Sequence, residues 1–147
     1  MKKKRIAAID YGLARIGVAL SDPHKILASP LDTVPAQKKI EESVDAVMKR
    51  LEEYDLEEVV IGMPYKMNGQ KGISADEVNE FIAIFKTKSS VPITAWDERL
   101  STVQVERAMR DDNMRRKKRA KVVDKLCATL ILQSYLETKK YSRVNQY

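Results

Sequence analysis

Three places in this 147-residue chain put carboxylates where the surrounding pattern is apolar. Asp10 follows the run Ile6, Ala7, Ala8, Ile9. Asp97 and Glu98 close a second apolar run, and Asp124 opens a stripe in which Cys127, Ala128, Ile131, Leu132 and Tyr135 recur at steps of 3, 4, 7, 8 and 11. Burying a carboxylate is expensive unless something compensates. One inward acid has ordinary structural uses, such as a cap or an ion pair with Arg15 or Arg99. Three that converge repel one another, and the strain is relieved when a divalent cation joins them. The chain has one histidine, His24, and one cysteine, Cys127, which excludes a structural Cys/His zinc site. Hard oxygen ligands suit Mg²⁺ or Mn²⁺.

Convergence depends on the elements that carry these acids. Residues 4–9 and 15–21 read as strands joined by Tyr11-Gly12-Leu13-Ala14, an antiparallel hairpin. A third short strand falls between Ile26 and Val34, interrupted by Pro30. From Gln37 to Tyr54, the residues Ile40, Val44, Val47, Met48 and Leu51 line one face of a helix. EEVVIGMP is a buried strand that stops at Gly62 and Pro64, before the loop YKMNGQKG. A second helix after Ser74 buries Val78, Phe81, Ile82 and Phe85, and Val91 to Trp96 forms another strand. Ser101-Thr102-Val103-Gln104 is a capping box that opens a third helix, and a last amphipathic helix runs from about Lys117 to Thr138. The expectation is an α/β fold: a mixed five-stranded sheet, three antiparallel strands and then parallel ones, flanked by helices. Parallel strands bring their carboxyl ends to one edge, where open α/β sheets bind ligands. Asp10 and the Asp97-Glu98 pair then share that edge, and Asp124 points inward over it. Adjacent strand residues face opposite ways, so Asp97 and Glu98 do not both enter one site unless the strand has ended.

Composition bounds the partners. At 44% hydrophobic and 33% charged residues, residues 1–147 form one domain able to bury a core without staples. The lone Cys127 makes no internal disulfide and fits a reducing cytosol, hence a cytoplasmic protein. MKKKR followed by apolar residues mimics a signal peptide, but Asp10 and Arg15 interrupt it, and no segment is long enough to span a membrane. A net charge of +6 favours an acidic partner, with nucleic acid the commonest. Arg110 to Lys121 holds seven Lys or Arg against two Asp, a net +5 just before Asp124, and is expected to be flexible. In it Arg115, Arg116, Lys117 and Lys118 are candidates for phosphate contacts, as are Lys66 and Lys71 in the glycine-containing loop and Arg15 and Arg99 beside the acids. His24 reads as a loop residue and Cys127 as a small core side chain. Trp96 is placed beneath the acids, and Tyr11 either fills the turn or lines the mouth of the site.

The segments IDYGLARIGVALSD, VVIGMPYKMNGQKG, WDERLST and VDKLCATLILQSYLE, in that order and spacing, resemble the YqgF/RuvX family of RNase H-like nucleases over nearly the whole chain. The resemblance implies an RNase H-like fold related to the RuvC Holliday-junction resolvases and an acidic site that binds divalent metal. It also implies maturation of the precursor of 16S ribosomal RNA, with precursor rRNA and ribosomal particles as partners. Carried over position by position, the strand aspartate is Asp10, the acid of the DER motif is Glu98 and the helix aspartate is Asp124; Asp97 is the reserve ligand should the strand end be rotated. In resolvases of this fold the second acid usually ends the fourth strand. Here that strand ends in Gly62-Met63-Pro64, so the site recruits Glu98 from the next strand or lacks one acid. The implied chemistry is phosphodiester hydrolysis with two metal ions about 3.5 to 4 Å apart. Asp10 bridges them, and Asp124 and Glu98 hold one each. A resolvase cuts two strands symmetrically and needs a homodimer, whereas an RNA nuclease can act as a monomer. The alternatives are a resolvase-like DNA nuclease and a non-catalytic RNA-binding module of ribosome assembly. The Asp-Tyr-Gly turn also resembles the phosphate-binding hairpin of sugar kinases and actin, but those enclose ATP between two such domains and this chain has the length of one.

Overall fold

The computed structural model describes residues 4–64, 74–100 and 117–144, with side chains over 126–139 of the last segment. The loop 65–73 and the capping box at 101–104 lie outside the described residues.

Because Ile6 to Ile9 are apolar on both sides, the strand they form belongs in the middle of a sheet, and it is there. β1 (Arg5–Asp10) pairs antiparallel with β2 (Arg15–Ser21) on one side and parallel with β4 (Leu56–Met63) on the other. β3 (Ala28–Pro35) pairs antiparallel with β2, β5 (Ile93–Asp97) pairs parallel with β4, and the order is β3-β2-β1-β4-β5. β3 starts two residues later than the sequence suggests and keeps Pro30. It tolerates a residue without an N–H because it is an edge strand, and the register shifts between Val18 and Ala19 opposite that proline.

Alternation along β1 divides the core. Ala7 and Ile9 join Val59, Ile61 and Met63 beneath α1 (Ile40–Leu51) and α2 (Ala75–Lys88), whose Val44, Val47, Phe81 and Phe85 are buried there. Ile6 and Ala8 join Ala19 and Val60 on the opposite side, under Cys127, Ala128, Ile131, Leu132 and Leu136 of α3 (Lys117–Val144). α1 is shorter than its apolar period suggests, since Lys39 at its start makes no side-chain cap. α2 begins at Ser74, whose hydroxyl accepts the Glu77 N–H and donates to the Glu77 carboxylate.

The direction of α3 matters for the site. Gln133 donates to the Ile26 carbonyl and accepts from the Ala28 N–H at the start of β3, and Tyr135 and Lys139 bond to Glu58 at the start of β4. Ile131 instead reaches Gly62 near the end of β4. The helix therefore runs antiparallel to β1 and β4, and its N-terminal part lies toward the carboxyl edge of those strands. No helix among the described residues is long and apolar enough to cross a membrane.

Candidate acidic site

Asp10 is the last residue of β1 and, as an even position, continues the Ile6-Ala8 face beneath α3. It is 6% exposed. Both of its lateral neighbours are glycines. Gly17 is its partner on β2, and the register Ile9↔Ile61 continued by one residue brings Gly62 beside it on β4.

The space over Gly62 is filled from the next strand. β5 ends at Asp97, and Glu98 begins a single 3-10 turn, Glu98–Leu100, that turns its side chain back over the sheet. A Cβ placed on Gly62 would lie 2.8 Å from Glu98 Oε1 and 3.1 Å from Glu98 Cγ. Glu98 is 1% exposed, so its carboxylate is enclosed on the same face as Asp10 and one strand away from it. Two buried acids thus lie on one face of the same sheet edge.

Asp97 goes elsewhere. It pairs with Met63, a residue of the α1/α2 face, and its carboxylate accepts the backbone N–H of Arg99 and is forked by the Arg99 guanidinium at 2.7 to 3.0 Å. Those bonds hold the Asp97 carboxyl below the usual carboxylate range against a smaller opposing effect of burial. Asp97 therefore pins the turn that presents Glu98, and the exposed Arg99 forks its carboxylate. Arg15, at the start of β2, shares the α3 face with Gly17 by alternation.

Asp124 lies in α3 one turn before Cys127 and Ala128, toward the carboxyl edge, and its side chain is outside the described atoms. The same holds for Lys117 and Lys118, the first residues of α3. Lys66, Lys71, Arg115 and Arg116 lie outside the described residues, as does the flexibility expected for 110–116; residues 117–121 begin the helix. Among the described residues no three acids, cysteines or histidines are grouped as metal ligands, and of the described candidate acids only Asp10 and Glu98 are buried.

Tyr11 fills core and does not line the site. Position 11 continues the odd face of β1, and its ring packs on Phe81 with centroids 4.9 Å apart. Burial, followed by the charge of Glu77, pushes its hydroxyl pKa up against a hydrogen bond with Ser43. His24 is an exposed turn residue and Cys127 is buried, both as the sequence suggests. Trp96 lies across from Gly62 and meets Tyr135 edge-on at 5.3 Å.

Beneath Trp96 is a polar network that sequence reasoning missed. The Glu58 carboxylate accepts from Thr94, Tyr135 and Lys139. Burial raises the Glu58 pKa, but the three donors together outweigh it and hold the group below its ordinary value. Burial, then the bond to Glu58, pushes Tyr135 up to about 12. The network ties α3 to β4 and β5 beneath the strand end from which Glu98 emerges. No local signal could have found partners 77 residues apart.

Comparison with known proteins agrees with this architecture. A family model described as RuvX, Holliday junction resolvase, matches residues 4–138. A protein of Protochlamydia amoebophila (strain UWE25) named "Putative pre-16S rRNA nuclease" is 45% identical over 144 residues, covering 94% of this chain and 96% of its own. A protein of the same name from Clostridium novyi (strain NT) is 42% identical over 134 residues, covering 91% and 98%. Among solved structures, the RuvC of T. thermophilus in complex with Holliday junction substrate superposes with a TM-score of 0.54 over 92% of this chain and 96% of that one. At 16% identity that likeness shows the fold.

Proposed function

The chain belongs to the RuvX family of Holliday junction resolvases, and from that premise we propose that it is a divalent-metal-dependent nuclease that hydrolyses phosphodiester bonds in the precursor of 16S rRNA. The observation that carries the reading is the enclosure of Asp10 and Glu98 on one face of one sheet edge, around the side-chain-free position Gly62. Relatives of nearly the same length, named as pre-16S rRNA nucleases, support the substrate.

The donor set fits a hard cation. Two acids are buried on one face of one sheet edge, oxygen donors of the kind a hard cation takes, and enclosing negative charge there is costly unless something compensates it. Asp10, Glu98 and Asp124 would hold Mg²⁺ or Mn²⁺. When bound, the metal supplies a more acidic water and neutralises charge on the phosphate. In the overall reaction a water oxygen bonds to phosphorus, one P–O ester bond breaks, and the departing sugar oxygen takes up a proton.

The protein's own groups do the rest. Asp10 and Glu98 are fixed by burial, so their geometry costs little reorganisation when substrate arrives. Arg15 stands on the face of the acids and orients the phosphate, whereas Arg99 serves the turn through Asp97. The basic residues Arg115, Arg116, Lys117 and Lys118, with Lys66 and Lys71, attract the backbone without reading its sequence.

The test compares three ligands with one preparation of the full chain: an RNA carrying the 5′ leader of pre-16S rRNA, a four-way DNA junction, and ATP. Cleavage of the RNA with Mg²⁺ or Mn²⁺ is the expected result. Symmetric cutting of the junction by a dimer, with the RNA intact, would move the substrate to branched DNA, and binding without cleavage of any substrate would leave an assembly module.

A further inference from the structure

We propose that Gly62 is a positioning residue of the acidic site: the side chain it lacks is the seat in which Glu98 of the neighbouring strand end is held beside Asp10. The proposal rests on the nuclease reading above and concerns how its second carboxylate is supplied. A Cβ at position 62 would come within 2.6 Å of Ile131 Cδ1 and 2.8 Å of Glu98 Oε1. Neither neighbour can swing away freely, since Ile131 is 0% and Glu98 1% exposed. One methyl group therefore asks two different things of the protein. Against Ile131 it crowds the buried Cδ1 methyl beneath α3, which is a packing cost. Against Glu98 it displaces a carboxylate from Asp10, which is a functional cost.

The same geometry accounts for the absence of an acid at the end of β4. Position 62 lies level with Asp10 on the α3 face, and the volume a side chain would occupy there is already taken from β5. A residue larger than glycine would compete with Glu98 for it.

The two costs are separable, because Ile131→Val removes the Cδ1 atom and leaves Glu98 untouched. The experiment uses the full chain as wild type, Ile131→Val, Gly62→Ala and Gly62→Ala/Ile131→Val. A cycle with Glu98→Ala is made in the Ile131→Val background. Thermal unfolding is followed in chelator and across a Mn²⁺ titration, and RNA cleavage is measured alongside.

Gly62→Ala is expected to lower Tm, and the double variant to recover most of that loss. Mn²⁺ affinity is expected to stay weaker by about tenfold or more in the double variant than in Ile131→Val, the scale typical of groups that orient a metal ligand. In the Glu98→Ala background, Gly62→Ala should weaken Mn²⁺ no further. A double variant that binds Mn²⁺ within twofold of Ile131→Val, or a Gly62→Ala effect that persists unchanged without Glu98, overturns the proposal. Wild type and Ile131→Val that both ignore Mn²⁺ would instead remove the nuclease reading on which it stands.

Discussion

Replacing Asp10 by Asn keeps the shape of the side chain and removes one charge from the acidic pair. Asp10 and Glu98 are 6% and 1% exposed, and the Glu98 side chain reaches over Gly62 of β4, the strand between them. For charges taken as about 5 Å apart, one strand spacing, and an effective dielectric constant of about 20, the repulsion is about 3 kcal/mol. The amide forfeits part of the hydrogen bonding that a carboxylate enjoys, which leaves a net gain of about 1 to 2 kcal/mol for the metal-free variant. For a chain of this size that is about 3 to 6 °C in Tm. The assay is thermal unfolding of both proteins in chelator and then with Mn²⁺. Wild type should gain about 2.7 kcal/mol when the ion stands at about one hundred times its Kd, and Asp10→Asn much less. If Asp10 were instead one half of a structural ion pair, the variant would lose about 3 to 5 kcal/mol in chelator. An unstable Asp10→Asn with the same metal response as wild type refutes the reasoning.

Changing Arg115, Arg116, Lys117 and Lys118 to alanine should weaken RNA binding about equally for unrelated sequences and flatten its salt dependence, read by fluorescence anisotropy at several ionic strengths. Tyr135, whose pKa is raised to about 12, favours the folded state fully below about pH 10 and loses that contribution as pH rises toward 12. The nominal two units are worth about 2.7 kcal/mol and, discounted for partial exposure, about 1 kcal/mol; Tyr135→Phe should show a flatter alkaline limb in denaturant titrations. Asp97, whose pKa is lowered by Arg99, stabilises the fold above the ordinary carboxylate range and ceases to as pH falls through its folded pKa. Arg99→Ala should therefore lose less stability than wild type between about pH 5 and pH 3.

The sheet was legible because β1 is written twice, once in the unbroken apolar run Ile6 to Ile9 and again in the glycine turn that reverses the chain. The two crossover helices declared themselves by their period. Ser74 marked the start of α2, but the start of α1 and the end of α3 carried no such signal, because Lys39 offers no side-chain cap and α3 continues to Val144 through a polar stretch. Asp10 was legible as a buried acid. The choice between Asp97 and Glu98 was not, since it depends on where β5 stops: strand geometry ends at Asp97, and one 3-10 turn sends Glu98 to the α3 face. Tyr11 sits where the hairpin begins, and only the continued alternation of positions 7, 9 and 11 assigns it to the core. The Gly62 seat and the Glu58 network join residues far apart in sequence, which no local pattern encodes.

Metal-dependent cleavage by site variants tests the central claim most directly. The substrate is the RNA bearing the pre-16S 5′ leader, and the proteins are wild type, Asp10→Asn and Glu98→Gln, each shown to be folded by circular dichroism. Cleavage by wild type that requires Mg²⁺ or Mn²⁺, stops in chelator and falls to background in both variants is the predicted result. Wild-type rates in either variant, or cleavage that survives removal of metal, would contradict the assignment of these two buried carboxylates as the catalytic centre.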